Sequence, residues 1–288
     1  MRQFSSFVAI DWSGAKTPRQ TGIAIAVCGQ GKAAPTLINP GIRWSRESVF
    51  DWLKSEAPVD ALIGFDLSPS LPFGSEGFFP GWDRSPGTAK ALWQLVDELC
   101  ADDPHLAVSS FVAHPEARRH FRHAKGDCGD LFEPKMGRLR ETERRQAAMA
   151  LSPSSCFNLI GAAQVGKSSL TGMRLLNRLP PEFPVWPFDE IPDKGSLVVE
   201  IYTSLAARAA GIRKGLAKMR DGASLDAALG TFDCEPHAPF AESKYDDHST
   251  DAILTAAWLR TVAHDPALWN PPGLDEVRDT EGWTFGVV

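Results

Sequence analysis

Phe7-Val8-Ala9-Ile10-Asp11-Trp12-Ser13-Gly14, followed by Thr21-Gly22-Ile23-Ala24-Ile25-Ala26-Val27, is the stretch on which the reading of this chain turns. An apolar run closed by one Asp, a polar Gly-containing turn and a second apolar run of similar length predict two antiparallel strands with a carboxylate at their open end.

Working outward, a second lone acid closes a second strand. After a predicted third strand over 36–44, broken by Asn39-Pro40-Gly41, and a helix over 46–56, Ala61-Leu62-Ile63-Gly64-Phe65-Asp66 is a continuous apolar run, as expected for a strand covered on both faces. Residues 67–88 are rich in Pro, Gly, Ser and Phe and predict a long packed lid. Ala91, Leu92, Leu95, Val96 and Leu99 recur at helical spacing, and further helices are predicted over 115–123, 138–151 and 169–179. Ser196-Leu197-Val198-Val199-Glu200-Ile201-Tyr202 is a clear strand, this time with its acid inside. Short helices are predicted over 205–211 and 225–229. Asp246-Asp247-His248-Ser249-Thr250-Asp251 opens the strongest helix, and 282–288 predicts a final edge strand. The economical reading is one α/β domain over 1–288 with a helical insertion at about 85–180.

Composition narrows the function classes. The 288 residues contain 43% hydrophobic and 23% charged side chains, the balance of an ordinary globular chain. No apolar run approaches the roughly 20 residues that span a bilayer, and the N-terminus lacks a signal-type apolar core, so a cytoplasmic protein with no membrane partner is expected. Cys28, Cys100, Cys128, Cys156 and Cys234 are odd in number, widely spaced and without a C-x-x-C pair, which argues for inert buried thiols over disulfides or structural zinc. The net charge of −6 supplies no global attraction to nucleic acid. Locally the balance reverses: 114–146 holds nine Lys or Arg against six acids. If the substrate is nucleic acid, Arg118, Arg119, Arg122, Arg138, Arg140, Arg144 and Arg145 are the expected phosphate contacts, with Phe78, Phe79 and Trp82 the only stacking candidates.

The chemistry resides in the acids. Asp247 and Asp251 are four apart, on one face of a helix, a like-charge arrangement that costs roughly 0.2–0.5 kcal/mol unless something compensates. A divalent cation would. Mg²⁺ or Mn²⁺ takes oxygen ligands, and a pair of them can hold the attacking and leaving oxygens of an in-line phosphoryl displacement. Asp11, Asp66, Glu200 and Asp251 are the expected catalytic ligands, Asp247 a fifth, and His248 a proton carrier or substitute ligand. Each acid also has a plain structural reading, as an Asx-turn residue, an outward strand position or a partner of the helix dipole.

Their order along the chain resembles a known family. Ala9-Ile10-Asp11-Trp12-Ser13-Gly14, Leu62-Ile63-Gly64-Phe65-Asp66-Leu67-Ser68-Pro69, Val199-Glu200-Ile201-Tyr202 and the run from Asp247 to Ala252 are similar to the four motifs of the domain of unknown function 429 family. That family is regarded as ribonuclease H-like and as predicted nucleases. The resemblance implies a mixed sheet beginning with three antiparallel strands, Asp11 on the first, Asp66 ending the fourth, and a C-terminal helix carrying the last acid. It also implies a metal-dependent nuclease. Asp251-Ala252 resembles the helix of Holliday-junction resolvases. The chain departs from the pattern at Tyr202-Thr203, where Tyr-Pro is more typical, and at His248, often an acid in resolvases.

Gly161-Ala162-Ala163-Gln164-Val165-Gly166-Lys167-Ser168 matches G-x-x-x-x-G-K-[ST], the phosphate loop of P-loop nucleotidases, with Gly161, Gly166, Lys167 and Ser168 as its binding positions. More than half the chain precedes it, whereas such a loop follows the first strand of a parallel sheet. An anion-binding helix N-terminus or a structural turn are its other readings. The opening hairpin is also compatible with an actin-like kinase or ATPase, and the whole with an inactive nucleic-acid-binding protein.

Overall fold

The opening hairpin forms as read in the computed structural model, which describes residues 2–160, 165–212, 219–240 and 245–288. Strand β1 (Ser6–Asp11) pairs antiparallel with β2 (Ala24–Gly29), so that Asp11 lies opposite Ala24. β2 pairs antiparallel with β3 (Thr36–Leu37). On its other side β1 pairs parallel with β4 (Ala61–Asp66), and β4 with β7 (Leu197–Glu200). The five-stranded mixed sheet has the order β3-β2-β1-β4-β7. A small antiparallel ribbon, β5 (Arg122–Ala124) and β6 (Asp127–Cys128), stands apart.

Both faces of the sheet are covered, which is why its central strands read as unbroken apolar runs. Val8, Ile10, Ile63, Phe65 and Val198 pack beneath α1 (Arg46–Ser55), α2 (Ala89–Leu99) and α6 (Val165–Arg178). Phe7, Ala9, Leu62, Val199 and Ile201 face α7 (Thr203–Ala209) and α9 (Asp247–Val262). In chain order the short helices α3 (Ser109–Ala113), α4 (Pro115–Arg118) and α5 (Glu141–Ala148) come between α2 and α6. The 85–180 segment, expected as an insertion, supplies much of the layer on one sheet face.

Helix α9 starts where the sequence places it. Asp246 is its N-cap and accepts from the Ser249 backbone N–H at 2.8 Å. Gly64 lets α9 approach: a Cβ there would stand 2.5 Å from Ile201 Cγ2 and 3.0 Å from Leu259 Cδ1.

Several local expectations are corrected. The third strand shrinks to two residues, since Asn39-Pro40-Gly41 cannot continue a ladder. The final strand reduces to a single parallel bridge between Glu200 and Thr284. Among the described residues helix α6 is already formed at Val165, earlier than 169, and the 138–151 helix spans only Glu141–Ala148. The aromatic side chains of the 67–88 segment belong to the core: Phe78, Phe79 and Trp82 are buried and cannot offer a stacking platform. Cys28, Cys100 and Cys156 are buried thiols, while Cys128 is exposed and Cys234 half-buried; all five are free.

Candidate functional site

Parallel pairing brings the acids together. Asp11 and Asp66 occupy the same register at the carboxyl ends of β1 and β4, so alternation turns both toward the α9 side of the sheet. The first turns of α9 carry Asp247, His248 and Asp251 to the same edge. These residues line one cavity of about 470 Å³, together with Ser68, Glu143, Glu200, Tyr202 and the 12–15 turn.

Asp11 is buried, and its Oδ2 accepts a hydrogen bond from His248 Nδ1 at 2.9 Å. Burial pushes the Asp11 carboxyl up, and His248 works against that rise. His248 is itself raised, first by this hydrogen bond. Gly22 leaves room for the ring: a Cβ there would lie 3.2 Å from His248 Cε1.

Asp66 accepts a long 3.4 Å hydrogen bond from Thr203 Oγ1. Its carboxyl is held well above the usual range, first by burial and then by the charges of Asp11, Asp251 and Glu200. Carboxylates from two strands and a helix therefore converge on Asp66 and resist its ionisation.

Glu200 occupies a different position from the one expected of a ligand. It pairs with Phe65, one register step from Asp66, and so emerges on the opposite face of the sheet. There Arg140 grips it bidentately, Nη2 to Oε1 at 2.6 Å and Nη1 to Oε2 at 2.9 Å, and Thr284 Oγ1 donates to Oε1 at 2.8 Å. Arg140 also donates to Glu143 Oε1 at 2.8 Å and is fully buried. Burial opposes the charge of Arg140, but Glu143 and Glu200 outweigh it and hold the guanidinium well above its ordinary value. Burial raises Glu200 in spite of Arg140, because one cation serves two buried glutamates. Nothing in the sequence pointed to this ion triad except the i, i+3 spacing of Arg140 and Glu143.

The crowding expected between Asp247 and Asp251 is relieved in part by protein. Arg220 Nη2 stands 2.8 Å from Asp247 Oδ1. The basic stretch is likewise occupied: Arg118 pairs with Asp127, Arg119 with Asp130 and Glu116, and Arg144 and Arg145 with Glu141. Arg138 donates to the carbonyls of Gly77 and Phe78, and Arg140 is the buried anchor of Glu200. Of the seven expected phosphate contacts, only Arg122 has no ion-pair or side-chain hydrogen-bond partner among the described residues.

In the 161–168 motif, Gly161 lies outside the described residues. Gly166 is a packing glycine: a Cβ would stand 2.4 Å from the Cys156 carbonyl oxygen. Ser168 borders the acidic cavity, while Lys167 points into a second one. Among the described residues no strand leads directly into the motif; Asn158 makes an isolated bridge to Arg122. The geometry thus parts the Lys from the Ser that a nucleotide phosphate loop uses together.

Among the described residues, no group of three or more His, Cys, Asp or Glu is disposed to hold a metal ion as the structure stands. A Mg²⁺-type ion does not require such a cage, because it keeps several waters and is bound through one or two carboxylates plus substrate phosphate. Asp11 and Asp66, neighbours in register with hard oxygen donors and mutual repulsion, fit one such ion. The second half of a metal pair does not fit, since both Glu200 oxygens belong to Arg140.

No family model, curated protein or solved structure matches this chain. Its class is defined by its own fold and site: an α/β protein with a five-stranded mixed sheet flanked by helices and a carboxylate-lined cavity at the carboxyl edge of its parallel strands. Among the described residues no helix is long and apolar enough to cross a membrane.

Proposed function

We propose that this chain is a divalent-metal-dependent phosphodiesterase acting on nucleic acid, built on a ribonuclease H-like sheet. The observation that carries the reading is the pairing of Asp11 and Asp66, in register on adjacent parallel strands, with Asp251 closing the same cavity from α9. The strand order β3-β2-β1-β4-β7, antiparallel through β1 and parallel beyond it, supports the fold part of the reading.

Asp11 and Asp66 would hold one Mg²⁺ or Mn²⁺. When bound, such an ion neutralises phosphate charge and acidifies a coordinated water. The protein's own groups do the rest. Asp11 fixes the His248 ring through Nδ1, which leaves Nε2 to take up or release a proton at the cavity mouth. Arg140 engages both Glu200 oxygens and Glu143 Oε1, so the cation preference falls on the Asp11 side.

The test compares the wild type with Asp66→Asn on branched, single-stranded and hybrid nucleic acids in Mg²⁺ or Mn²⁺. Cleavage by the wild type should fall about 10²–10³-fold in the variant, the loss typical when one transition-state charge stabiliser is removed, and chelation should abolish it. Equal cleavage by both proteins, or none by the wild type on any substrate, refutes the reading.

A further inference from the structure

A second cavity of about 360 Å³ adjoins the first, sharing only Gly14 and Ala15 with it. Its charge is opposite. Lys16, Arg46, Arg118, His123 and Lys167 line it, and no Asp or Glu among the described residues does. The acidic cavity is lined by Asp11, Asp66, Glu143, Glu200, Asp247 and Asp251, with His248 as the one basic side chain among the described lining residues.

The cationic character is built in at several points. Arg46 is 1% exposed, and its guanidinium donates to three carbonyls: Ser13 at 3.1 Å, His105 at 2.6 Å and Ala15 at 2.5 Å. Those bonds pin the turn between the cavities, while among the described residues no carboxylate pairs with the charge. Lys16 and Lys167 have no ion-pair partner among the described residues either. Burial and then the charge of Lys16 lower the Lys167 ammonium, a repulsion that an anion between them would relieve. His123 Nε2 donates to the Arg118 carbonyl at 2.9 Å, leaving Nδ1 for another partner. Of these lining groups, among the described residues Arg118 alone is in an ion pair with an acid, Asp127 at 3.2 Å, an exposed pair of little worth.

The wall between the cavities is thin by necessity. A Cβ on Gly14 would stand 2.3 Å from the Ser168 backbone nitrogen, so the turn after β1 lies directly on the start of α6. Lys167 and Ser168, adjacent in sequence, thereby open into different cavities.

We propose that the basic cavity is a phosphate subsite, in which Lys16 and Lys167 bind a phosphate group of the same substrate whose diester lies at the carboxylates. The role of this phosphate as a second anchor rests on the phosphodiesterase reading; its binding does not. The lysine of the 161–168 motif then has a phosphate partner without a nucleotide-binding loop.

The experiment is a calorimetric titration with inorganic phosphate and, separately, a single-stranded oligonucleotide, in metal-free buffer containing chelator. It uses the wild type, Lys16→Met/Lys167→Met, and Lys194→Met as a control at an exposed lysine elsewhere. Methionine keeps the aliphatic stems, and melting temperatures check folding. Phosphate affinity should fall roughly tenfold or more in the double variant, as when charge-assisted hydrogen bonds are lost, and remain unchanged in the control. Loss for phosphate alone identifies a free phosphate or mononucleotide as the source; loss for the oligonucleotide as well identifies a strand phosphate. Equal affinities in wild type and double variant, or no saturable binding of either probe by the wild type, overturn the proposal. Phosphate binding lost in the double variant while the wild type cleaves nothing would leave the subsite standing and sink the phosphodiesterase reading alone.

Discussion

Replacing Arg140 by Met tests whether Glu200 is a component of the scaffold or of the reacting centre. Arg140 is fully buried and holds Glu200 through two nitrogens, Glu143 through a third and the Glu281 carbonyl at 3.0 Å. Methionine fills much of the same volume and leaves two glutamates buried without a cation. Removing one partner of a buried ion pair costs about 3–5 kcal/mol. At roughly 2–4 °C per kcal/mol, as in domains of 150–250 residues, the melting temperature should fall by about 10 °C. The loss should depend on pH with a definite sign. Burial already raises Glu200 and Arg140 works against that rise, so without the arginine its folded-state pKa lies further above the unfolded value of about 4.3, and the variant keeps its stability below that pH and loses it as pH rises. Scanning calorimetry of wild type and Arg140→Met from acid to neutral pH reads the difference directly. Adding Glu200→Gln to the variant should recover part of the loss. A melting temperature within about 2 °C of wild type, less than 1 kcal/mol by the same scale, would refute the account of Glu200 as an anchored residue. So would a penalty that Glu200→Gln leaves untouched.

Three further outcomes follow from the site. Mg²⁺ should stabilise the wild type, by about 2.7 kcal/mol at 100 times its Kd, and leave the melting temperature of Asp66→Asn unmoved; equal shifts in both proteins would remove Asp66 from the cation site. His248 is raised by its hydrogen bond to Asp11, so its contribution to stability is present below about pH 6.5 and is lost as pH rises through its folded-state value. NMR titration of the His248 ring in Asp11→Asn should accordingly give a lower pKa than in the wild type. Gly14→Ala should destabilise by about 1–3 kcal/mol, the usual cost of overpacking, since the new Cβ meets the backbone of Lys167 and Ser168 rather than a movable side chain; denaturant unfolding measures it.

The sheet and the opposing helix were legible in the sequence because their signals are local. Apolar runs ending in Asp11 and Asp66 already mark strand ends, and an Asp246 cap three residues before Ser249 marks a helix start. The convergence of Asp11, Asp66 and Asp251 on one cavity was likewise anticipated. Less legible was anything that depends on a partner. The basic stretch reads as a phosphate-binding face, yet its arginines find acids at 116, 127, 130, 141 and 143 within the same segment. The Phe-rich 67–88 segment reads as a lid because Pro and Gly erase periodicity, while Phe78 and Phe79 in fact fill the core.

What the sequence by itself determined is where carboxylates sit on their own elements, since a strand end or a helix turn is set by its neighbours in the chain. Only the tertiary structure decided what each carboxylate does. Parallel pairing of β1 with β4 sets Asp11 beside Asp66, and a one-residue difference in register sends Glu200 to the other face, into the grip of an arginine 60 positions away. Packing of α9 brings His248 to Asp11 across 237 positions, and the turn at Gly14 divides an acidic cavity from a basic one. The physical reason is common to all of these: side-chain periodicity is a property of a single element, but the charge environment of a side chain is created by elements that meet only when the chain is folded.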